Sequence, residues 1–366
     1  MKRAGGARIA MACGGTAGHV LPACAVAEAL PRGIDAVFLG GTMGLETRLA
    51  RSRGHRLLTT PAAPLAGASM SAKVVGLRWT AAGALAARRI LLREDVGLVV
   101  GFGSYASAPG VLAAWSLRLP IVLFETNATA GTANRRLAPF ATLALLAEAS
   151  AARAFRCPAR VTGVPLRAEI LSVSARPPAG MLHVLVAGGS LGSAFLDERI
   201  PHLLARVAAR VGSLVVRHVG DPERARAAYA RAGVAATVMP FVDDMAAEYA
   251  RANVAIVSAG ATTLAELAAV GLPAVLVALA SVARDHQTEN AREFAAATDA
   301  VWCREADWDD ASLAAHVAAL ATEPPAWAAA AAGMRRKARR GAADAVAQAC
   351  LEVVDGARSV TGVTRR

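Results

Sequence analysis

Two stretches, half a chain apart, carry one pattern. Residues 8–20 read RIAMACGGTAGHV and residues 183–195 read HVLVAGGSLGSAF. In each, an apolar run ends in two glycines, a hydroxyl residue, a spacer and a third glycine, and a helical pattern follows. A strand, glycine turn and helix of this kind open a doubly wound α/β domain. The recurrence predicts two such domains in one chain. The length agrees: at 366 residues the chain exceeds the roughly 250–300 that one hydrophobic core holds.

The rest of the chain alternates short apolar runs with alanine-rich helical stretches, the mark of βαβ units and parallel sheets. Strands are expected at 8–13, 35–39, 96–100, 120–124 and 142–146, then at 182–187, 214–219, 235–239, 253–257 and 274–278. The Ser-, Pro- and Gly-containing segment LSVSARPPAGM, 171–181, reads as a connection. The expected division is an N-terminal domain over 1–168, a linker over 169–181, a C-terminal domain over 182–340, and a helix and tail over 341–366.

The formal charge is +12, which suits an anionic partner such as a phosphorylated substrate or an acidic membrane. Only 4% of residues are aromatic, and they do not interleave with basic ones, which argues against single-stranded nucleic acid; double-stranded binding is not excluded by that, but no recognition motif supports it, so nucleic acid is not the expected partner. Five widely spaced cysteines without a CxxC argue against a disulfide framework or zinc site and fit a reducing cytosol. The apolar run before Gly14 is too short for a signal peptide. The uncharged stretch 96–117 is long enough to span a bilayer, but Gly101, Gly103, Ser104, Ser107, Pro109 and Gly110 break it. Strand, loop and helix describe it better.

The glycine loops are the chemical candidates. Glycine lets backbone approach a ligand, and the following helix N-terminus favours phosphate. GGTAGH adds the Thr16 hydroxyl and His19, which titrates near neutrality and is a feasible base, or else a helix-capping side chain. GFGSYASAP, 101–109, is another glycine–hydroxyl loop at a strand's carboxyl end, where open α/β sheets place ligands. FETNATAGTANRR, 124–136, brings Glu125 and Asn127 to the same rim, with Glu125 otherwise a solvated loop carboxylate. SAGATTLAELAAVGLP, 258–273, leads into a helix suited to a pyrophosphate, with Glu266 placed to accept from ribose hydroxyls. Thr263 and Glu266 also fit a capping box. DHQTENA, 285–291, reads as a polar rim loop, and the pairs Asp243-Asp244 and Asp309-Asp310 read as helix caps rather than metal ligands.

Taken in order, these segments resemble the MurG family of GT-B glycosyltransferases. The family's GGTGGH appears as GGTAGH, its GxGGYxSxP as GFGSYASAP, its HExNxxxGxxNR as FETNATAGTANR and its TGNPVR as TGVPLR, 162–167. Its GGSQGA appears as GGSLGS, its PFxxDM as PFVDDM, 240–245, and its SRAGAxTxxEL with GLPA as SAGATTLAEL with GLPA. DHQxxNA is intact. The matches span residues 14 to 291.

The resemblance implies an α/β fold of the GT-B kind, two Rossmann-like parallel-sheet domains facing a central cleft. It implies inverting transfer of GlcNAc from UDP-GlcNAc to the 4-hydroxyl of lipid I (undecaprenyl-pyrophosphoryl-MurNAc-pentapeptide), without metal or cofactor, in peptidoglycan synthesis at the cytoplasmic face of the inner membrane. His19 and Glu125 become the catalytic candidates. Thr16, Ala17 and Gly18 would contact the donor, Asn127 the donor sugar, Arg167 the nucleotide and Ser190 the diphosphate. Val242 would receive the uracil, and Ala261, Thr262, Thr263, Leu264, Ala265 and Glu266 would wrap diphosphate and ribose. Gln287 would meet the GlcNAc hydroxyls. The segment 70–94, with Lys73, Arg78, Trp79, Arg88 and Arg89, could lie on an anionic membrane surface or be a plain basic helix. Ala17, Phe124, Thr126, Val164, Leu191 and Ala259 depart from the family pattern. A GT-B enzyme with another donor or acceptor, or a non-catalytic nucleotide-sugar-binding homologue, is the alternative reading.

Overall fold

The computed structural model describes residues 8–41, 45–63, 70–190, 192–280 and 285–363. The chain forms two compact units, Met1–Arg167 with Arg340–Arg366, and Ala168–Arg339.

The first unit is built on a seven-stranded parallel sheet. Its strands are β1 (Arg8–Ala12), β2 (Ala36–Gly40), β3 (Leu57–Thr59), β4 (Val96–Gly101), β5 (Ile121–Glu125), β6 (Leu143–Leu146) and β7 (Ala159–Val161), in the order β3-β2-β1-β4-β5-β6-β7. The second unit has β8 (Leu182–Ala187), β9 (Leu214–Val219), β10 (Ala236–Met239), β11 (Val254–Ser258), β12 (Ala274–Ala278) and β13 (Val301–Arg304), in the order β10-β9-β8-β11-β12-β13. All ten expected strands are present. β3, β7 and β13, which were not expected, lie at the sheet edges. Central strands are buried on both faces, as β5, β11 and β12 are throughout, so they read as continuous apolar runs.

Each strand order reverses once, between β1 and β4 and between β8 and β11. Such a switch leaves a crevice at the carboxyl ends of the two strands, because the connections leave in opposite directions. GGTAGH follows β1 and GFGSYASAP follows β4; GGSLGS follows β8 and SAGATT follows β11. The four glycine and hydroxyl loops therefore flank the two switch points. The stretch 96–117 divides into β4, a 3₁₀ turn and the helix Ala108–Ser116. No helix among the described residues is long and apolar enough to cross a membrane.

Two segments differ from expectation. The 169–181 connection packs on the second unit: Ala175 N–H donates to Val270 O at 2.9 Å and Asn253 Nδ2 to Arg176 O at 3.0 Å. The last helix, Ala342–Val363, belongs to the first unit, and Arg160 of β7 pairs with its Glu352.

The helix Met70–Arg93 is packed unusually. Its buried positions are Gly76, Gly83, Ala87 and Leu91, while Leu77, Leu85 and Leu92 are more than 60% exposed. Small inward residues let the helix lie close to its neighbours. A Cβ on Gly83 would sit 1.9 Å from Pro61 O and 3.1 Å from Pro109 Cγ. Gly83→Ala is expected to destabilise the protein by about 1–3 kcal/mol through overpacking, read as a lower urea midpoint at unchanged slope. A midpoint equal to wild type would show that the helix shifts freely.

Candidate active site

The first unit assembles its site from three strand ends. After β1, Gly14 and Gly15 take φ of 158° and 81°, and Thr16 (φ −140°, ψ 158°) sits at the N-cap of the helix Ala17–Glu28. Ala17 begins that helix, so a Cβ is accommodated there without left-handed strain. The Thr16 hydroxyl makes no capping bond to backbone; it lies 2.8 Å from His19 Nδ1, which fixes the ring one turn into the helix.

The loop after β4 presses against this turn. A Cβ on Gly15 would lie 2.8 Å from Ser104 Oγ. Gly103 (φ 83°) passes so close to the imidazole that a Cβ would meet His19 Cδ2 at 3.3 Å and Asn134 Nδ2 at 3.4 Å. Ser104 is itself left-handed (φ 66°), a conformation worth about 1–3 kcal/mol of strain and common at functional sites. Its carbonyl accepts from the Ser107 hydroxyl at 2.9 Å and its hydroxyl from Ala106 N–H at 3.3 Å.

Glu125 ends β5 and is 3% exposed, so it is not a solvated loop carboxylate. Its Oε1 accepts from Asn127 N–H (3.0 Å) and Asn127 Nδ2 (2.9 Å). Oε2 accepts from Gly131 N–H (2.9 Å) and Asn134 Nδ2 (2.9 Å). Four donors on two oxygens make Glu125 the clasp of the 126–131 loop. They also tie Asn127, the expected sugar contact, to the carboxylate. Burial pushes the His19 imidazole below its ordinary 6.5, and the negative charge of Glu125 opposes that shift. His19 is thus biased toward the neutral form that can accept a proton.

Arg167, the last residue of the first unit before the second begins, is buried. It lies near Cys24 of the Ala17–Glu28 helix. Burial and Glu28 push that thiol up to about 12, against the charges of Arg53 and Arg167. Of the family departures, Phe124 is fully buried against Phe102, with ring centroids 5.6 Å apart, and Val164 is also buried.

The second unit repeats the design. Gly189 takes φ 81°, the same value as Gly15, and a Cβ there would lie 3.3 Å from Ser258 Oγ. Ser190 is exposed on this turn, Leu191 lies outside the described residues, and Ser193 caps the helix Ala194–Val211 by accepting from Leu196 N–H at 3.2 Å. Val242 is half-buried just ahead of the helix Met245–Arg251, capped by Asp244 accepting from Ala247 N–H at 3.0 Å. Asp309 likewise caps the helix Asp310–Thr322.

The helix Ala261–Val270 starts after Gly260, which is its N-cap and has no side chain to donate or accept. The Thr263–Glu266 capping box is therefore absent: Thr263 is already the third helical residue. Glu266 instead is buried and accepts from the Tyr249 hydroxyl at 2.8 Å. Ala261, Thr262, Thr263 and Ala265 are partly exposed along the first turns, whereas the Leu264 side chain is in the core and its N–H donates to Gly260 O. Ala259 is fully buried. DHQTENA is helical from His286 on, not a loop. Its Gln287 Oε1 accepts from Leu279 N–H at 3.0 Å, and its Asn290 Nδ2 donates to Ala259 O at 3.3 Å.

Thus Thr16, His19, Glu125 and Asn127 gather in the first unit, with Ser104 and Asn134, which the sequence had marked only as motif letters. Ser190, Val242, Ala261–Glu266 and Gln287 all lie in the second unit, where Tyr249 is a partner that no motif announced. Among the described residues no group of three His, Cys, Asp or Glu could hold a metal.

Two parallel sheets with glycine turns at both switch points are the GT-B fold. Residues 9–146 match the glycosyltransferase family 28 N-terminal domain, and residues 183–348 the glycosyltransferase family 28 C-terminal domain. A protein of Sorangium cellulosum (strain So ce56) is 38% identical, covering 96% of this chain and 89% of its own length. It is named UDP-N-acetylglucosamine--N-acetylmuramyl-(pentapeptide) pyrophosphoryl-undecaprenol N-acetylglucosamine transferase. An identically named protein of Alkalilimnicola ehrlichii is 39% identical over 93% of this chain and 97% of its own. The crystal structure of Acinetobacter baumannii MurG superposes with a TM-score of 0.72 at 29% identity, covering 95% of this chain and all of that one. A glycosyltransferase of kitacinnamycin, 17% identical with a TM-score of 0.68, shares the fold. The chain belongs to glycosyltransferase family 28 and, within it, to the MurG family.

Followed by NMR, the His19 ring is expected to titrate below 6.5. Glu125→Gln removes the opposing charge and should move the midpoint further down. An unchanged midpoint in that variant would show that the carboxylate does not act on the imidazole.

Proposed function

We infer that this enzyme transfers GlcNAc from UDP-GlcNAc to the N-acetylmuramyl-pentapeptide of lipid I, a step of peptidoglycan synthesis that cell shape and division require. The observation that carries the reading is near-full-length similarity, at 38–39% identity, to proteins named for that reaction. The clustering of His19 with Thr16 and the Glu125 clasp supports it.

In this reading the acceptor 4-hydroxyl attacks C1 of the donor sugar, its proton passes to neutral His19, and the C1–oxygen bond breaks with inversion. The electron pair leaves with UDP. The positive N-terminal end of the helix Ala261–Val270 and the Ser190 turn stabilise the charge that develops on the diphosphate. Glu125 serves by holding the 126–131 loop, and Glu266 by accepting from the ribose. Arg167 contributes to nucleotide binding, and Thr16, Ala17, Gly18 and Asn127 line the sugar and acceptor side. The N-terminal domain, the 169–181 connection and the C-terminal domain divide these tasks between acceptor and donor.

The acceptor is a lipid, and the helix Met70–Arg93 is the surface we assign to its membrane, at the cytoplasmic face. Its outward Val74, Val75, Leu77, Trp79, Leu85 and Leu92 alternate with Arg78 and Arg89, and Trp115 on Ala108–Ser116 is exposed as well. Apolar side chains beside arginines fit an anionic bilayer surface.

The purified enzyme is expected to form the disaccharide lipid from UDP-GlcNAc and a lipid I analogue, and His19→Gln to lower kcat by at least about 100-fold. Donor binding without transfer to any muramyl acceptor would sink the assignment. Leu77→Glu with Leu85→Glu should abolish co-sedimentation with anionic vesicles while leaving turnover of a soluble acceptor analogue intact. Undiminished sedimentation would move the membrane contact elsewhere.

A further inference from the structure

Glu266 is a carboxylate in a buried position, 6% exposed, and at such a site the direction of the group is set by its donors. One donor is the phenol of Tyr249, 2.8 Å from Oε2. Tyr249 is 1% exposed and among the largest fully buried side chains of the protein. Its ring is locked by packing, so its hydroxyl is a fixed point rather than a mobile one.

Tyr249 lies on the helix Met245–Arg251, whose cap, Asp244, is two residues beyond Val242. Glu266 lies on the helix Ala261–Val270. The hydrogen bond thus joins the segment leading out of the Val242 loop to the helix carrying the carboxylate, entirely within the second unit. Remove the hydroxyl and the carboxylate gains rotational freedom about its last bond, while the two helices lose a polar tie.

We propose that Tyr249 is a positioning residue for the donor: its hydroxyl orients the Glu266 carboxylate toward the ribose and so sets the preference for ribonucleotide over 2′-deoxyribonucleotide donors. This rests on the reading that Glu266 accepts from the ribose. Tyr249 touches no substrate; it acts through Glu266.

Tyr249→Phe keeps the ring and deletes the bond. Calorimetry with UDP and 2′-deoxy-UDP, and steady-state kinetics with UDP-GlcNAc, separate the possibilities. The expected result is UDP affinity weakened about tenfold, the scale of one hydrogen bond to a charged group, with a clearly smaller loss for 2′-deoxy-UDP, which keeps only the 3′-hydroxyl. Donor KM rises with the UDP Kd while kcat stays within about twofold, since only ground-state and transition-state binding are lost together. Equal weakening of both nucleotides, or none, overturns the proposal. A wild-type enzyme that binds UDP and 2′-deoxy-UDP equally overturns the ribose reading itself, a distinct outcome. Should Tyr249→Phe not fold, a fluorotyrosine at 249 alters the donor strength of the phenol while keeping the bond to Glu266. A ribose preference that shifts with the phenol supports the coupling, and an unshifted preference refutes it.

Discussion

In each unit the loops at the switch point depend on one close approach that only glycine permits. Gly15 and Gly189 both take φ 81°, and each stands where a Cβ would crowd a serine across its switch point, Ser104 in one unit and Ser258 in the other. A side chain at either position would push apart the two loops that emerge from neighbouring central strands. It would also have to adopt a left-handed backbone that L-residues resist. The central strands beneath, β1, β4, β8 and β11, are largely buried, so moving them to relieve the loops would disturb the core. With the turns held tight, the helix N-termini that follow them point at the crevice, and their dipoles have a fixed direction.

On this frame the first unit adds an imidazole and a clasp. Thr16 gives up ordinary capping to hold His19 by its Nδ1, and both oxygens of Glu125 are engaged by Asn127, Gly131 and Asn134. Such a saturated carboxylate orders backbone and tunes its neighbour electrostatically. In the reading proposed above, that carboxylate is the clasp and the imidazole is the base.

The strands in the middle of each sheet were legible because burial on both faces writes them as unbroken apolar runs ended by glycine. The edge strands were not: β7 is three residues, Ala159, Arg160 and Val161, all exposed, and nothing in them separates strand from loop. Glycine turns and their helices were legible for the same local reason. The partners of Glu125 were partly so, since Asn127 and Asn134 belong to one quoted motif, although no pattern says that they converge on a buried carboxylate. The Thr263–Glu266 spacing misled, because Gly260 caps through its backbone and the helix begins earlier than the hydroxyl pattern suggests. Tyr249 was invisible: its partner is on another helix, and only packing brings them together.

Aligning Gly14 and Gly15 with Gly188 and Gly189 sets His19 opposite Ser193. In the second unit that position is the cap, ahead of a helix starting at Ala194. In the first, the helix starts earlier, at Ala17, and the same position falls within its opening turn. One backbone plan thus yields two instruments. Where the helix starts late, the position closes off the helix end; where it starts a turn early, the position projects an imidazole from a rigid element. A division of labour between the two halves of the chain follows from a shift in where a helix begins.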